Sequence, residues 1–332
     1  MQTVNKKVHL MAFDNVITTL PAFGIEHDNR HRLRGDPHSR EAVVFMLQVP
    51  EHGIAGFIYP WINADGTASA ATCIFGPGVG EPIQERFDAI AVSPDMDFYD
   101  WKVAGLAMKI DEPHVSADVS FKGKRIDIQY RFDAMHPVYA FGSHPDGCPQ
   151  YYADDRTEQH GRVKGTIAID GKSYDFEELG QRDHAWGNRI WGLNQHYKWF
   201  HATTPNQAVH FFEMQSFGTR HIRGFVFKDG QMAAVQSVEY QYLFDDEMHH
   251  TAIDVIVTDD AGRKTPVRGR MFAKFQFEVN PKVLLNESAI TVEIEGETGT
   301  GWCEFCWNRD YLNFAKDHVT QFQPFKKLTL IK

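Results

Sequence analysis

Cysteine is scarce in this chain of 332 residues: Cys73, Cys148, Cys303 and Cys306 are too few and too scattered for a disulfide framework. Cys303 and Cys306 have metal-type spacing, but a structural zinc site needs a second pair and none exists, so strand cysteines are expected. Long apolar runs are missing as well. Ala42 to Leu47 is strand-sized, far short of the roughly 20 residues of a membrane span. The opening MQTVNKKVHLMAF lacks the continuous apolar core of a secretory signal, so a cytoplasmic protein with no transmembrane segment is expected. Positive charge is in deficit, 34 Lys and Arg against 44 Asp and Glu for a net charge of -10, which argues against a nucleic-acid partner. The basic stretch HDNRHRLRGDPHSR, residues 27–40, is interrupted by Asp28 and Asp36 and reads as a solvated loop able to line a pocket entrance. Helical periodicity is also wanting: no helix-length stretch carries convincing caps, although Ala104 to Ile110 has room for a short one. GPGVG, residues 76–80, lacks the lysine of a phosphate loop and reads as a turn. There is no G-x-S-x-G elbow. Despite 17 histidines there is no H-E-x-x-H spacing, so neither metal nor cofactor is expected, and activity should survive exhaustive chelation.

What is present is a period of two. Ile126, Ile128, Tyr130 and Phe132 alternate with Asp127, Gln129, Arg131 and Asp133, as in a strand with one wet face. Ile253, Val255 and Val257, and Ile290, Val292 and Ile294, repeat the pattern. Turn signals punctuate it: IDGKS from Ile169, TPNQ from Thr204, KDGQ from Lys228, TDDAGR from Thr258 and GETGTG from Gly296. A meander of this length must close or stack to hide its edges, which predicts an all-β protein of two antiparallel barrels or sandwiches. The boundary is placed near residue 190, giving domains 1–190 and 191–332 that share a broad interface.

Gly180 to Gly192, GQRDHAWGNRIWG, concentrates charge beside aromatic surface. In an extended chain Arg182, His184 and Trp186 project to one side and Asp183 and Ala185 to the other. An imidazole beside an indole suits delivery of a proton to an apolar substrate, the indole face stabilising developing positive charge. Equally, Arg182, Asp183 and Arg189 fit a buried ion-pair hub, with Trp186 and Trp191 as packing.

The segment HGRVKGTIAIDGKSYDFEELGQRDHAWGNR, His160 to Arg189, resembles the signature of the hydroxyneurosporene synthase or carotenoid 1,2-hydratase-like group with its AttH-type relatives. TGTGWCEFCWNRD, Thr298 to Asp310, resembles that group's closing strand, with Phe305 where a tyrosine is often seen. The resemblance implies two lipocalin-like (calycin-type) β-barrels and assigns acid–base chemistry to His184 and Trp186. It adds a later Tyr-x-Asp pair, in whose place Phe211 and Glu213 stand here. Strand alternation keeps these two on one face, and a glutamate against aromatic rings would have its pKa raised by desolvation, as a general acid needs.

Two functions are carried forward. One is a cofactor-independent acid–base enzyme, a lyase or an isomerase/cyclase, acting by proton transfer at carbon on a hydrophobic isoprenoid-like (terpenoid) or polycyclic molecule. Its catalytic residues would be His184, Glu213 and Asp183; Trp186, Phe211, Trp191, Arg182 and Arg189 would bind substrate. The other is a lipocalin-like carrier of the same ligand. A homodimer is compatible with both. A carrier has no use for a desolvated acid in its pocket, and that feature separates the two.

Overall fold

A computed structural model describes residues 12–332; residues 1–11, on which most of the signal-peptide reading falls, lie outside the described residues. Twenty strands make up 60% of the structure and helix only 8%, which agrees with the all-β expectation. The strands β2 (Ser39–Val49), β3 (Ile54–Asn63), β4 (Thr67–Phe75), β5 (Ile83–Ala91), β6 (Trp101–Val103), β7 (Leu106–Glu112), β8 (Ser116–Lys122), β9 (Ile126–Ala134), β10 (Tyr139–Ala140), β11 (Asp155–Ile169) and β12 (Lys172–Asn188) share one sheet. Its order is 5-4-3-2-12-11-9-8-7-6, with β10 on the flank of β11. The second sheet holds β13 (His196–Thr203), β14 (Ala208–Ser216), β15 (Thr219–Lys228), β16 (Gln231–Phe244), β17 (His250–Asp259), β18 (Lys264–Asn280), β19 (Val283–Ile294) and β20 (Glu297–Asn308), in the order 16-15-14-13-20-19-18-17. A β16–β17 pairing joins its ends, so these eight strands form an antiparallel barrel without free edges. The chain passes from one sheet to the other between Asn188 and His196, and a two-residue strand, β1 (Ile17–Thr18), crosses back to pair in parallel with β16.

The turn signals become hairpins. Asp170 and Gly171, and Asp229 and Gly230, all have positive φ, as a tight Asp-Gly turn requires. Two expectations failed. Ala104 to Ile110 is a hairpin, not a helix: Ala104 takes φ 52° at the turn, and Leu106, Met108 and Ile110 are buried alternately. Conversely, a helix spans Arg309–Lys316, its first turn capped by the Asn308 side chain, which accepts from the Asp310 and Tyr311 N–H groups. All four cysteines are buried and free, but Cys148 lies in a loop rather than a strand.

Three apolar cores result. One fills the first sheet around Phe45, Ile58, Phe121 and Phe132; one fills the closed barrel around Phe200, Phe211, Val255 and Phe305. The third lies between the sheets and takes Val44, Met46 and Phe57 from one side and Tyr197, Phe212 and Trp302 from the other. Strands with a sheet interior on one face and this middle layer on the other are buried on both, hence the continuous burial of residues 41–49 of β2, 208–214 of β14 and 300–307 of β20. Odd and even residues of one strand therefore serve different cores, and Cys303 and Cys306, three apart, fall into different ones.

Candidate active site

The middle layer is not completely filled. A cavity of 430 Å³ opens between the sheets, within the range of small-molecule sites. Its walls are aromatic, from Tyr59 and Trp61 of the first sheet to Trp199 and Phe212 of the barrel.

Alternation decides which side of Gly180–Gly192 reaches it. Asp183 faces the cavity, where its Oδ2 accepts from Arg156 Nη2 at 2.6 Å. Arg156 also donates to Glu158 Oε1 at 2.5 Å and to the Tyr152 hydroxyl at 2.8 Å. Arg182, Asp183 and Arg189 thus do not form a hub among themselves; the buried ion-pair hub is built around Arg156 instead. Arg182 turns the other way and pairs with the buried Asp28 at 2.9 Å and with Gln159. Arg189 and Trp191 do line the cavity, the guanidinium 4.5 Å from the Tyr152 ring centre and 5.4 Å from that of Trp191. Gly187, at φ 105°, passes so close to Asp154 that a Cβ would stand 2.5 Å from its backbone nitrogen, which is why the segment needs glycine there.

His184 and Trp186 lie together, as expected, but on the face away from the cavity. His184 Nε2 is 2.8 Å from Glu41 Oε1, which also lies 2.8 Å from His31 Nδ1, and Trp186 stacks on His31 with ring centres 3.8 Å apart. Burial would raise Glu41, but its hydrogen bonds to His184 and His31 hold it below the ordinary carboxylate range. His31 and Asp28 belong to the stretch read as a solvated loop, yet both fold inward onto charged partners.

Phe211 and Glu213 share a face, but it is the barrel interior; the cavity receives their neighbour Phe212. The raised pKa expected of Glu213 is not found. Burial pushes it up, but Lys198 at 3.1 Å, Arg220 at 2.8 Å and the Tyr240 hydroxyl hold it below its ordinary value. Glu213 is a paired carboxylate and shares no partner with His184.

A desolvated acid does sit in the cavity, at positions the sequence reading passed over. Glu287 of β19 and Glu304 of β20 are directly opposite on adjacent strands of the barrel wall, both line the cavity and both are buried. Their carboxyl groups hydrogen-bond each other. Trp302 Nε1 donates to Glu287 Oε2 at 2.7 Å, and the Tyr197 hydroxyl donates to Glu304 Oε1. Burial, then the neighbouring carboxylate, pushes Glu287 well above the ordinary range. Burial raises Glu304 too, against the pull of its hydrogen bonds, so the pair favours sharing a proton over two adjacent buried anions.

Buried histidines and this carboxyl act on stability with opposite signs. Burial lowers His136 and His249 to about 4 and His250 to about 3. Each stabilises fully above its unfolded value near 6.5, an effect lost as pH falls through the folded value. Glu287, raised, stabilises fully below its unfolded value near 4.5, an effect lost as pH rises through the folded value. Between these two unfolded values the histidines dominate, and stability should climb by about 1.4 kcal/mol per pH unit for each net proton. Above pH ~7 the raised carboxyls remain, Glu287 together with Glu158, which burial lifts to about 8. Urea unfolding should therefore show a maximum near pH ~6.5; a climb that continues to pH ~9 would mean that these buried carboxyls are ionised in the native state.

Residues 24–309 match a family described as a domain of unknown function, DUF7064. No curated protein matches the sequence. Among solved structures, an AttH protein of Nitrosomonas europaea is similar at 14% identity and TM-score 0.60, covering 80% of this chain and 91% of that one. CghA in complex with Sch210972 is similar at 11% identity and TM-score 0.61, with 82% and 89% covered. Kievitone hydratase from Nectria haematococca is similar at 8% identity and TM-score 0.58, also with 82% and 89% covered. At these identities the likeness is one of fold: the lipocalin-like architecture of AttH-type and hydratase-like proteins, as the segment from His160 to Arg189 suggested.

Proposed function

We propose that this chain, which belongs to the DUF7064 family, is an acid–base enzyme that transfers a proton at carbon on a hydrophobic small molecule held between its two sheets. The observation that carries this reading is the pair of buried, directly opposed carboxyl groups Glu287 and Glu304 in the wall of an aromatic cavity. Keeping a carboxylic acid desolvated costs several kcal/mol, and a carrier gains nothing from it. Glu287 would give its proton to an alkene or enol carbon. Glu304, hydrogen-bonded by Tyr197, would accept the proton of the attacking water or of the neighbouring C–H. Hydration or dehydration follows in the first case and isomerisation or cyclisation in the second. The ring faces of Trp199 and Phe212 would stabilise positive charge on the substrate. Support comes also from the fold, since kievitone hydratase shares it.

The cavity has a second pole. Arg40 and Arg189 both line it, and neither forms an ion pair within 4 Å among the described residues. Arg40 Nη2 donates to the Tyr59 hydroxyl at 2.8 Å, while its buried Nε has no partner. Two cations held in place without direct carboxylate partners suit an anionic or carbonyl oxygen at one end of the substrate, the apolar body reaching toward the dyad.

Occupancy of the cavity is tested by narrowing it. Ala71 lines the wall, and Ala71→Phe should weaken ligand binding, read by quenching of Trp191 and Trp199, by about 10-fold or more with little change in Tm. The ligand itself is obtained by native mass spectrometry of the purified protein. Unchanged affinity in the folded variant would place the site elsewhere.

A further inference from the structure

Behind the cavity wall, away from the dyad, Glu158 of β11, His201 of β13 and His210 of β14 converge, all fully buried. Glu158 Oε2 and His201 Nε2 are 3.6 Å apart, and Glu158 Oε1 and His210 Nε2 are 3.8 Å apart. Glu158 Oε2, His201 Nε2 and His210 Nε2 have no hydrogen-bond partner among the described residues. Three orphaned polar atoms aimed at one another in a dry interior need an explanation.

The tautomers can be assigned from the hydrogen bonds. His136 Nδ1 lies 2.7 Å from the Pro137 carbonyl oxygen, so it carries the proton, and His136 Nε2 accepts from the His160 backbone N–H at 3.2 Å. His160 Nδ1, 3.3 Å from His136 Nε2, is then a donor, which leaves His160 Nε2 to accept from His201 Nδ1 at 2.8 Å. With its proton on Nδ1, His201 presents Nε2 toward Glu158 with no hydrogen-bond partner among the described residues. His210 reaches the same state independently, its Nδ1 donating to the Phe200 carbonyl oxygen at 3.1 Å. Two imidazole nitrogens and a carboxyl oxygen thus face one another, an arrangement that repels unless a proton or a metal ion lies between them.

We propose that this is a binding site for one divalent transition-metal ion of the zinc class, with His201 Nε2, His210 Nε2 and Glu158 Oε2 as ligands and a fourth position for water. Ligands 2.0–2.1 Å from a tetrahedral ion stand roughly 3.3 Å apart; Glu158 Oε2 and His201 Nε2 are 3.6 Å apart, and ligand atoms of all three residues lie within 4.8 Å of one another. A proton bridge would draw the atoms to hydrogen-bond distance instead. The other cluster of this composition, His31–Glu41–His184, is of that second kind: both contacts to Glu41 are 2.8 Å, too close to straddle an ion. The surroundings of the proposed site are those of a metal centre. The Nδ1 atoms of both histidines are oriented by hydrogen bonds, and Glu158 Oε1 is held by Arg156 and by Trp199 Nε1 at 2.9 Å. The ion would fix Glu158 and, through it, Arg156 and Asp183 in the cavity wall. It is a positioning site and lies outside the acid–base chemistry proposed for the dyad. The reading of the sequence as metal-free rested on spacing, and ligands drawn from three strands leave no spacing to read.

The test uses the purified full chain. Metal content is measured by plasma mass spectrometry, and chelator-stripped protein is titrated with Zn²⁺ by calorimetry and with Co²⁺ by visible absorption. The expected result is about one ion per chain at saturation, a four-coordinate Co²⁺ spectrum and a higher Tm with Zn²⁺. His210→Gln should weaken Zn²⁺ binding by about 100-fold or more. If that variant does not fold, Glu158→Gln is the deciding variant, with the same loss expected. Folded wild-type protein that neither carries nor binds Zn²⁺ or Co²⁺ overturns the proposal, as does binding that survives the deciding substitution. These readouts are independent of turnover, so they stand or fall separately from the acid–base reading.

Discussion

Replacing Glu287 by glutamine is expected to lower turnover by at least about 10²-fold while leaving ligand affinity within about a factor of two. Glutamine keeps the volume, and its amide can still hydrogen-bond Glu304 and accept from Trp302 Nε1, so the cavity is unaltered. What disappears is the dissociable proton that burial and the neighbouring carboxyl group favour on this side chain. The loss should fall on kcat rather than KM, because the proton moves only in the transition state. Glu304→Gln should be comparably slow, since it removes the base and leaves the Tyr197 hydroxyl without its anion. His184→Gln is the informative contrast: its side chain lies against Glu41, Phe98 and Trp186 on the other face of β12, and its kcat should stay near the wild-type value. If His184→Gln abolished turnover and Glu287→Gln did not, the chemistry would belong to the His31–Glu41–His184 cluster.

The second large effect is on stability. Arg156 is buried, donates to Glu158, Tyr152 and Asp183, and lies within 6 Å of the ring centres of Phe141, Tyr152, Trp199 and Phe212. Arg156→Met keeps much of the volume but leaves two buried carboxylates without their cation, and the unfolding free energy should fall by about 3–5 kcal/mol, measured by urea denaturation at neutral pH. Adding Asp183→Asn to that variant should restore part of the loss, because one stranded charge is then gone, a coupling that marks a shared network. A loss below about 1 kcal/mol would mean that the hub contributes little to holding the cavity wall.

How far the sequence disclosed this arrangement depends on strand parity. A strand with one wet face announces its orientation: Ile126 to Phe132 alternates with charge, and its burial follows. Where β12, β14 and β20 reach the cavity they are buried on both faces, so their alternation is visible while the identity of each face is not. For this reason attention to His184 and Trp186, and to Phe211 and Glu213, selected the sides facing the sheet interiors, while Asp183 and Phe212 reach the cavity. One signal was legible and was passed over. Glu287 sits inside the run Val283–Ile290, and Glu304 inside Trp302–Trp307; a carboxylate in the middle of a strand buried on both faces has to be paired or protonated. The helix Arg309–Lys316 was missed because Asn308 was read as the tail of the closing strand rather than as a cap.

The central claim is that the Glu287–Glu304 dyad hands a solvent-derived proton to a carbon atom of the ligand. It is tested most directly by carrying out turnover of the ligand identified from the purified protein in D₂O and reading the product by mass spectrometry and NMR. The account predicts one non-exchangeable deuterium at a single carbon of the product formed by the wild type, and none above background with Glu287→Gln. Turnover that leaves every carbon of the product free of deuterium, or equal labelling by Glu287→Gln at the wild-type rate, would contradict it.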